Sequence, residues 1–180
     1  MQGRFDLLNK EKMTRLFTEL LSEMTANPDP ETPARATKYW CEVLEGALYT
    51  NEEIAKKFGK TFPVSTHQIV KVENIAVFSH CEHHLALMYD MTVSIKYRPA
   101  GKVLGLSKFG RIAQLCSRRL QLQERLTQDI FDILKIVLAT EDICVHVKGK
   151  HGCMTARGIM SRESFTETYV AGGIFSGTEL

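Results

Sequence analysis

His80, Cys81, His83 and His84 fill four of five consecutive positions in the stretch SHCEHHL, with Glu82 as the fifth. A thiol and several imidazoles this close together can bind a metal, move protons near neutral pH, or do both. Cys81 and His84 are three positions apart, so from a tight turn both side chains can face one ion. A lone C-x-x-H pattern suits a catalytic base or a buried thiol equally well. A second pair lies far downstream in KHGCM, where His151 and Cys153 project to the same side of an extended segment. If the two segments meet, the site offers two thiolates and several imidazoles. A structural zinc would take four of these groups, whereas a catalytic zinc takes three and keeps a position for water. The surplus of histidines favours the open form, with the remaining imidazoles free for acid–base work. The plainer alternative is that His83 and His151 only orient ligands or cap loops.

Two further groups could act on a substrate. In GLSKFGRIAQL, Ser107 is placed as a helix N-cap, and Lys108 and Arg111 share one face of the first turn. The helix dipole disfavours cations there, so the pair reads either as two solvated bases or as a grip for an anion such as a phosphate chain. Arg157, four residues after Cys153, offers a third charge. In QLQERLT, Gln123 and Glu124 precede an apolar-striped helix. They suit an ordinary first turn, but a carboxylate can also accept two parallel N–H bonds of the kind a guanine edge presents.

The elements that must carry these residues follow from periodicity. Leu7, Leu8, Leu16, Phe17, Leu20 and Leu21 predict an amphipathic helix that stops near TANPDP. A second helix is expected in ETPARATKYWCEVLEGAL, with Thr32 as N-cap and Pro33 as its first residue. A short polar helix follows from Asn51. STHQIVKVENIAVF and MTVSIKY then read as strands, the latter with Met91, Val93, Ile95 and Tyr97 on one face. Helices are predicted from Ser107 to about Arg119 and over QERLTQDIFDILKIVLA, and strands again in ICVHVKG and ESFTETYVAG. The expected architecture is α+β, a helical arm over residues 1–60 followed by a ββααββ unit over 61–180, with no repeat or linker dividing it.

Composition limits the partners. Among 180 residues, 44% are apolar, enough for a real core, and 23 Lys and Arg against 21 Asp and Glu leave a net charge of only +2. That balance argues against a nucleic-acid polyelectrolyte binder, so any anion must meet a local basic patch. The longest apolar run is LALMY, far below the ~20 residues of a membrane span, and the charged N-terminal stretch lacks a signal core. Five scattered cysteines suit reduced thiols and a cytoplasmic setting, with Cys41, Cys116 and Cys144 expected to be ordinary buried thiols.

Taken together, CEHH, VLGLSKFGRI, QLQERLT and HGCMTARGI, in this order and spacing, resemble the GTP cyclohydrolase I family, with looser matches in ETPARATKYW and TETYVAGGIF. The resemblance spans roughly residues 28 to 175. It implies the tunnelling fold and one Zn2+ per subunit held by Cys81, His84 and Cys153. It implies His83 as a catalytic imidazole and His151 as the general acid beside nitrogen 7 of the purine. It further implies that Gln123 and Glu124 hold the guanine edge, that Lys108, Arg111 and Arg157 grip the triphosphate, and that Ser107 serves proton transfers near the ribose. The implied reaction turns GTP into dihydroneopterin triphosphate and formate. The implied assembly is a homodecamer of two pentameric rings whose sites are shared between neighbouring subunits.

The chain departs from the family pattern after CEHH, where a Pro and a Gly usually stand and here the chain reads LALMYDM. Gly110 inside SKFGRI costs a helix roughly 1 kcal/mol relative to Ala and is expected to loosen the phosphate-binding turn. Other readings fit the residues less well. A pyruvoyl-tetrahydropterin synthase would need a histidine-only zinc shell with an H-x-H pair, and a nitrile reductase would not need the Cys–His–Cys set. A zinc deaminase would show H-x-E together with P-C-x-x-C, and that combination is missing. A non-catalytic binding homologue would have no use for the metal and imidazole positions.

Overall fold

A computed structural model describes residues 7–177. The parts of the N-terminal stretch and of the two expected units that fall on residues 1–6 and 178–180 lie outside it. The chain begins with three helices, α1 (Lys10–Met24), α2 (Thr32–Val43) and α3 (Asn51–Phe58), with a 3-10 turn over Glu45–Leu48 between the last two. Leu7 and Leu8 precede α1 rather than joining it, because Asn9 caps the helix by accepting from the Lys12 N–H at 2.9 Å. α2 starts one residue earlier than its sequence suggests. Glu31 occupies the cap position and Thr32 is already helical, which puts Pro33 in the second position. α3 is closed by a reciprocal capping box between Thr50 and Glu53.

Strands β1 (Thr61–Pro63), β2 (Val70–Cys81), β3 (Leu87–Tyr97) and β4 (Lys102–Leu104) follow. Next come α4 (Leu106–Ser117), the two-residue β5 (Leu120–Gln121) and α5 (Gln123–Leu138). β6 (Ile143–His151), the single-turn α6 (Gly152–Thr155) and β7 (Thr166–Ala171) complete the main elements. β1 and β4 form a small antiparallel pair. The main sheet has the order β5-β2-β3-β6-β7, antiparallel except where β5 lies parallel to the end of β2. The architecture is therefore mixed α+β.

The apolar alternation decides which face is covered. Met91, Val93, Ile95 and Tyr97 of β3 are buried together with Ile143, Val145 and Val147 of β6. Against them pack α5, through Leu126, Ile130, Ile133, Leu134 and Leu138, and α4, through Phe109, Ile112 and Cys116. Ile54 and Ala55 bring α3 into the same core, whereas α1 buries no residue and lies against α2. No helix among the described residues is long and apolar enough to cross a membrane.

α4 begins at Leu106 with Gly105 as its cap residue and no side-chain cap bond. Ser107, expected as the N-cap, is instead the second helical residue. At Gly110 an added Cβ would meet nothing nearer than Ile75 Cγ2 at 4.0 Å. The cysteines differ in setting. Cys116 and Cys144 are fully buried, and burial pushes the Cys116 thiol up to about 12, while Cys41 is only half-buried.

Candidate metal and proton-transfer site

The first half of the SHCEHHL cluster is strand, not loop. β2 continues through Ser79, His80 and Cys81, all buried, before the chain turns back into β3. The turn is closed by the Leu85 N–H donating to Cys81 C=O and the Cys81 N–H donating to Ala86 C=O, each at 2.8 Å. Leu85 adopts a left-handed φ of 54°, a conformation that a branched side chain rarely takes and that the two closing bonds hold in place. His83 and His84 stand exposed on this turn, their rings edge to face at 6.4 Å. His80 points the other way, into α2. It is 3% exposed, packs against Trp40 and lies 2.7 Å from the Tyr39 hydroxyl through Nε2, and burial lowers its pKa. It is thus an anchor for the arm and stands apart from the metal-ligand candidates.

The second half comes from the end of β6. His151 pairs with Met88 across the sheet, and the chain then makes the single turn α6. Gly152 permits a close approach of backbones here, since a Cβ would lie 2.9 Å from Leu87 C=O. Tyr89 secures α6 by donating its hydroxyl to Thr155 Oγ1 at 2.9 Å. This approach brings Cys153 to Cys81. Cys81, His151 and Cys153 each offer a ligand atom within 4.8 Å of the others, and no other such group of three occurs among the described residues. Two soft thiols and an imidazole, partly withdrawn from water, suit a zinc-like ion with an open position.

The electrostatics of the group match a cation. Burial raises the Cys153 thiol pKa first, and the neighbouring Cys81 thiol adds to it, because two thiolates repel one another. A bound cation would reverse that penalty. Burial lowers the His151 pKa, with the Glu124 carboxylate opposing the shift.

His151 is held by Gln123, which is 1% exposed at the start of α5. The Gln123 amide nitrogen donates to Val147 C=O at 3.0 Å and to Thr166 C=O at 2.9 Å, both pure acceptors. Its Oε1 must therefore face His151 Nε2, 2.8 Å away, and that nitrogen must carry the proton. The free ring nitrogen of neutral His151 is then Nδ1. Sequence reasoning placed Gln123 beside a substrate. The structure places its side chain behind His151, and a glutamine at a helix start gives no signal of such burial.

The other candidates are distributed unevenly. His84 is not in the group of three, and its Nε2 lies 3.3 Å from Arg157 Nη1 on the exposed loop after α6. Glu124 is exposed beside His151. Lys108 lies over the Phe58 ring at 5.7 Å, and Arg111 lines a recess with Glu45, Lys57 and Arg118, so both keep company with the arm. Ser107 is exposed at the start of α4. Glu82, which stands among the candidate residues of the cluster, meets a residue that no motif singled out, Arg125. Arg125 donates from Nε to Gln121 Oε1 at 2.9 Å and from Nη2 to Leu120 C=O at 2.6 Å and to Glu82.

Comparison with known proteins agrees with the motifs. The family described as GTP cyclohydrolase I matches residues 10–179. A protein of Clostridium acetobutylicum named GTP cyclohydrolase 1 is 48% identical over 154 residues, 83% of this chain and 79% of the relative. Proteins of the same name are similar at 45% identity in Clostridium botulinum, covering 87% of this chain and 85% of the relative, and at 44% in Ruminiclostridium cellulolyticum, covering 93% and 91%.

Proposed function

The chain belongs to the GTP cyclohydrolase I family of enzymes, and from that premise we propose that it opens the imidazole ring of GTP to give formate and dihydroneopterin triphosphate. The observation that carries this reading is the meeting of Cys81 and Cys153 beside a histidine whose ring is fixed by Gln123. We assign the metal as zinc, one per subunit, with Cys81 and Cys153 of the group of three as ligands and His84, on the turn that follows Cys81, rather than His151 as the third. When bound, zinc acts as a Lewis acid that lowers the pKa of a water from 15.7 toward about 7.

The protein's own groups do the rest. With Nε2–H kept on Gln123, His151 takes up a second proton at Nδ1 and delivers that proton to nitrogen 7, because the leaving nitrogen must depart as a neutral amine. His83, free on the turn, is the second imidazole for proton transfer. Glu124 accepts the paired N–H groups of the guanine edge. Gln123 belongs to the same subsite and acts mainly through His151. Lys108, Arg111 and Arg157 neutralise the triphosphate, and Ser107 serves the ribose.

Lys108 and Arg111 side with the arm in a single chain, which supports sites shared between subunits of a homodecamer built from two pentamers. In this reading residues 1–60 form a helical arm for assembly and 61–180 a tunnelling-fold catalytic unit, working in the cytoplasm without nucleic-acid or membrane partners. Incubating the zinc-loaded protein with GTP tests the proposal. Formate release and pterin fluorescence after oxidation are expected in equal amounts, and a silent assay with zinc present would overturn it.

A further inference from the structure

We infer that Arg125 and Glu82 are positioning residues that fix the turn carrying Cys81, His83 and His84 relative to the half-site at His151 and Cys153. The inference rests on the proposed role of that turn. The fixed member of the pair is Arg125. Gln121, fully buried, spends its amide N–H groups on Cys116 C=O and Asp129 Oδ2, both at 3.0 Å, so its Oε1 must accept from Arg125 Nε. Asp129 is itself held by Arg119 Nη1 and Asn51 Nδ2, each at 2.9 Å. With Leu120 C=O on its other nitrogen, the guanidinium is oriented before Glu82 arrives.

Glu82 lies between Cys81 and His83, and its own N–H donates to Gln121 C=O at 3.0 Å. Its carboxylate on Arg125 thus ties the chemistry-bearing turn to the first turn of α5. That same helical turn holds His151 through Gln123. One rigid helix start therefore grips both halves of the site. The pair is 44% and 47% exposed, so its share of global stability is small. Its effect is expected on metal binding and turnover, where supporting partners of ligand segments commonly count for 10–100-fold.

The test uses full-length protein carrying Glu82→Ala, Arg125→Met, both together, and Arg125→Lys. Zinc affinity is read by competition with a chromogenic chelator, geometry by the visible spectrum of the cobalt(II)-substituted protein, and turnover by kcat and KM for GTP. Each single variant is expected to lose roughly tenfold or more in zinc affinity and in kcat, with KM for GTP and the melting temperature little changed. The double variant is expected to be no worse than the poorer single, and Arg125→Lys to recover part of the loss. Wild-type zinc affinity and kcat in both singles, or additive losses in the double, would overturn the inference. If Arg125→Met does not fold, Glu82→Ala on the exposed turn decides by the same readouts. If the wild-type protein binds zinc but releases no formate from GTP, the proposed function fails, while zinc affinity and the cobalt spectrum still judge the pair.

Discussion

At the scale of single residues, the site depends on which of three neighbouring groups loses a proton and which keeps one. Burial first and the neighbouring Cys81 thiol second hold the Cys153 thiol up, and a cation beside it would offset that cost. His151 cannot swap its tautomer freely, because Gln123 has no donor left to offer it. Cys153→Ser and His84→Ala are accordingly expected to lose bound zinc and all turnover with the fold kept. His151→Ala should keep its zinc while losing turnover. Elemental analysis beside circular dichroism checks both, and full zinc in Cys153→Ser or His84→Ala would refute the ligand assignment. The thiols and imidazoles were legible in the sequence as residue types, because few other residues do this chemistry. The bond from Gln123 to His151 was not, since it depends on which carbonyls of β6 and β7 lie within reach of one side chain.

At the scale of elements, periodicity identified the main strands and helices because a face buried against α4 and α5 must alternate or repeat. It failed where hydrogen bonds rather than burial set the boundary. Thr32 and Ser107 are good cap residues by type, yet Glu31 and Gly105 occupy the cap positions. β5 is two residues long and owes its existence to pairing with His80 and Cys81, which no local pattern encodes. The expected cost of Gly110 yields a direct test on α4. Its φ is not in the left-handed region, and the space around a new Cβ is open to 4.0 Å. Gly110→Ala should therefore stabilise the protein by about 1 kcal/mol, a rise of about 2–4 °C in melting temperature for a chain of this size. An unchanged or lower transition in calorimetry would show that Gly110 is needed for something other than helix formation.

At the scale of the whole molecule, the arm carries an apolar surface that its own chain does not cover. No residue of α1 is fully buried within its own chain, and Leu16, Leu20 and Met24 are exposed along it. Met13, Phe17, Leu21 and Trp40 line an apolar groove between α1 and α2 that reaches Leu85 on the metal turn. Surfaces of this kind are ordinarily covered by protein. With shared sites, the expected species in light scattering is a ten-chain particle, and activity should vanish on dilution to single chains. A fully active monomer would remove the need for residues from a neighbour. Nothing in the composition disclosed this, because exposed leucines on a helix look the same whether they face a core or another subunit.

The anchoring of Gln123 has one more consequence. One of the carbonyls it binds belongs to Thr166, at the start of β7, and β7 ends the sheet order with β6 as its neighbour there. Terminal strands fray before the core melts. When β7 lifts, the amide keeps Val147 C=O but loses Thr166 C=O, and the grip on His151 weakens while the hydrophobic core is still intact. The fixation of His151 is therefore expected to loosen with this outer strand, so that activity falls on warming before the global unfolding transition begins.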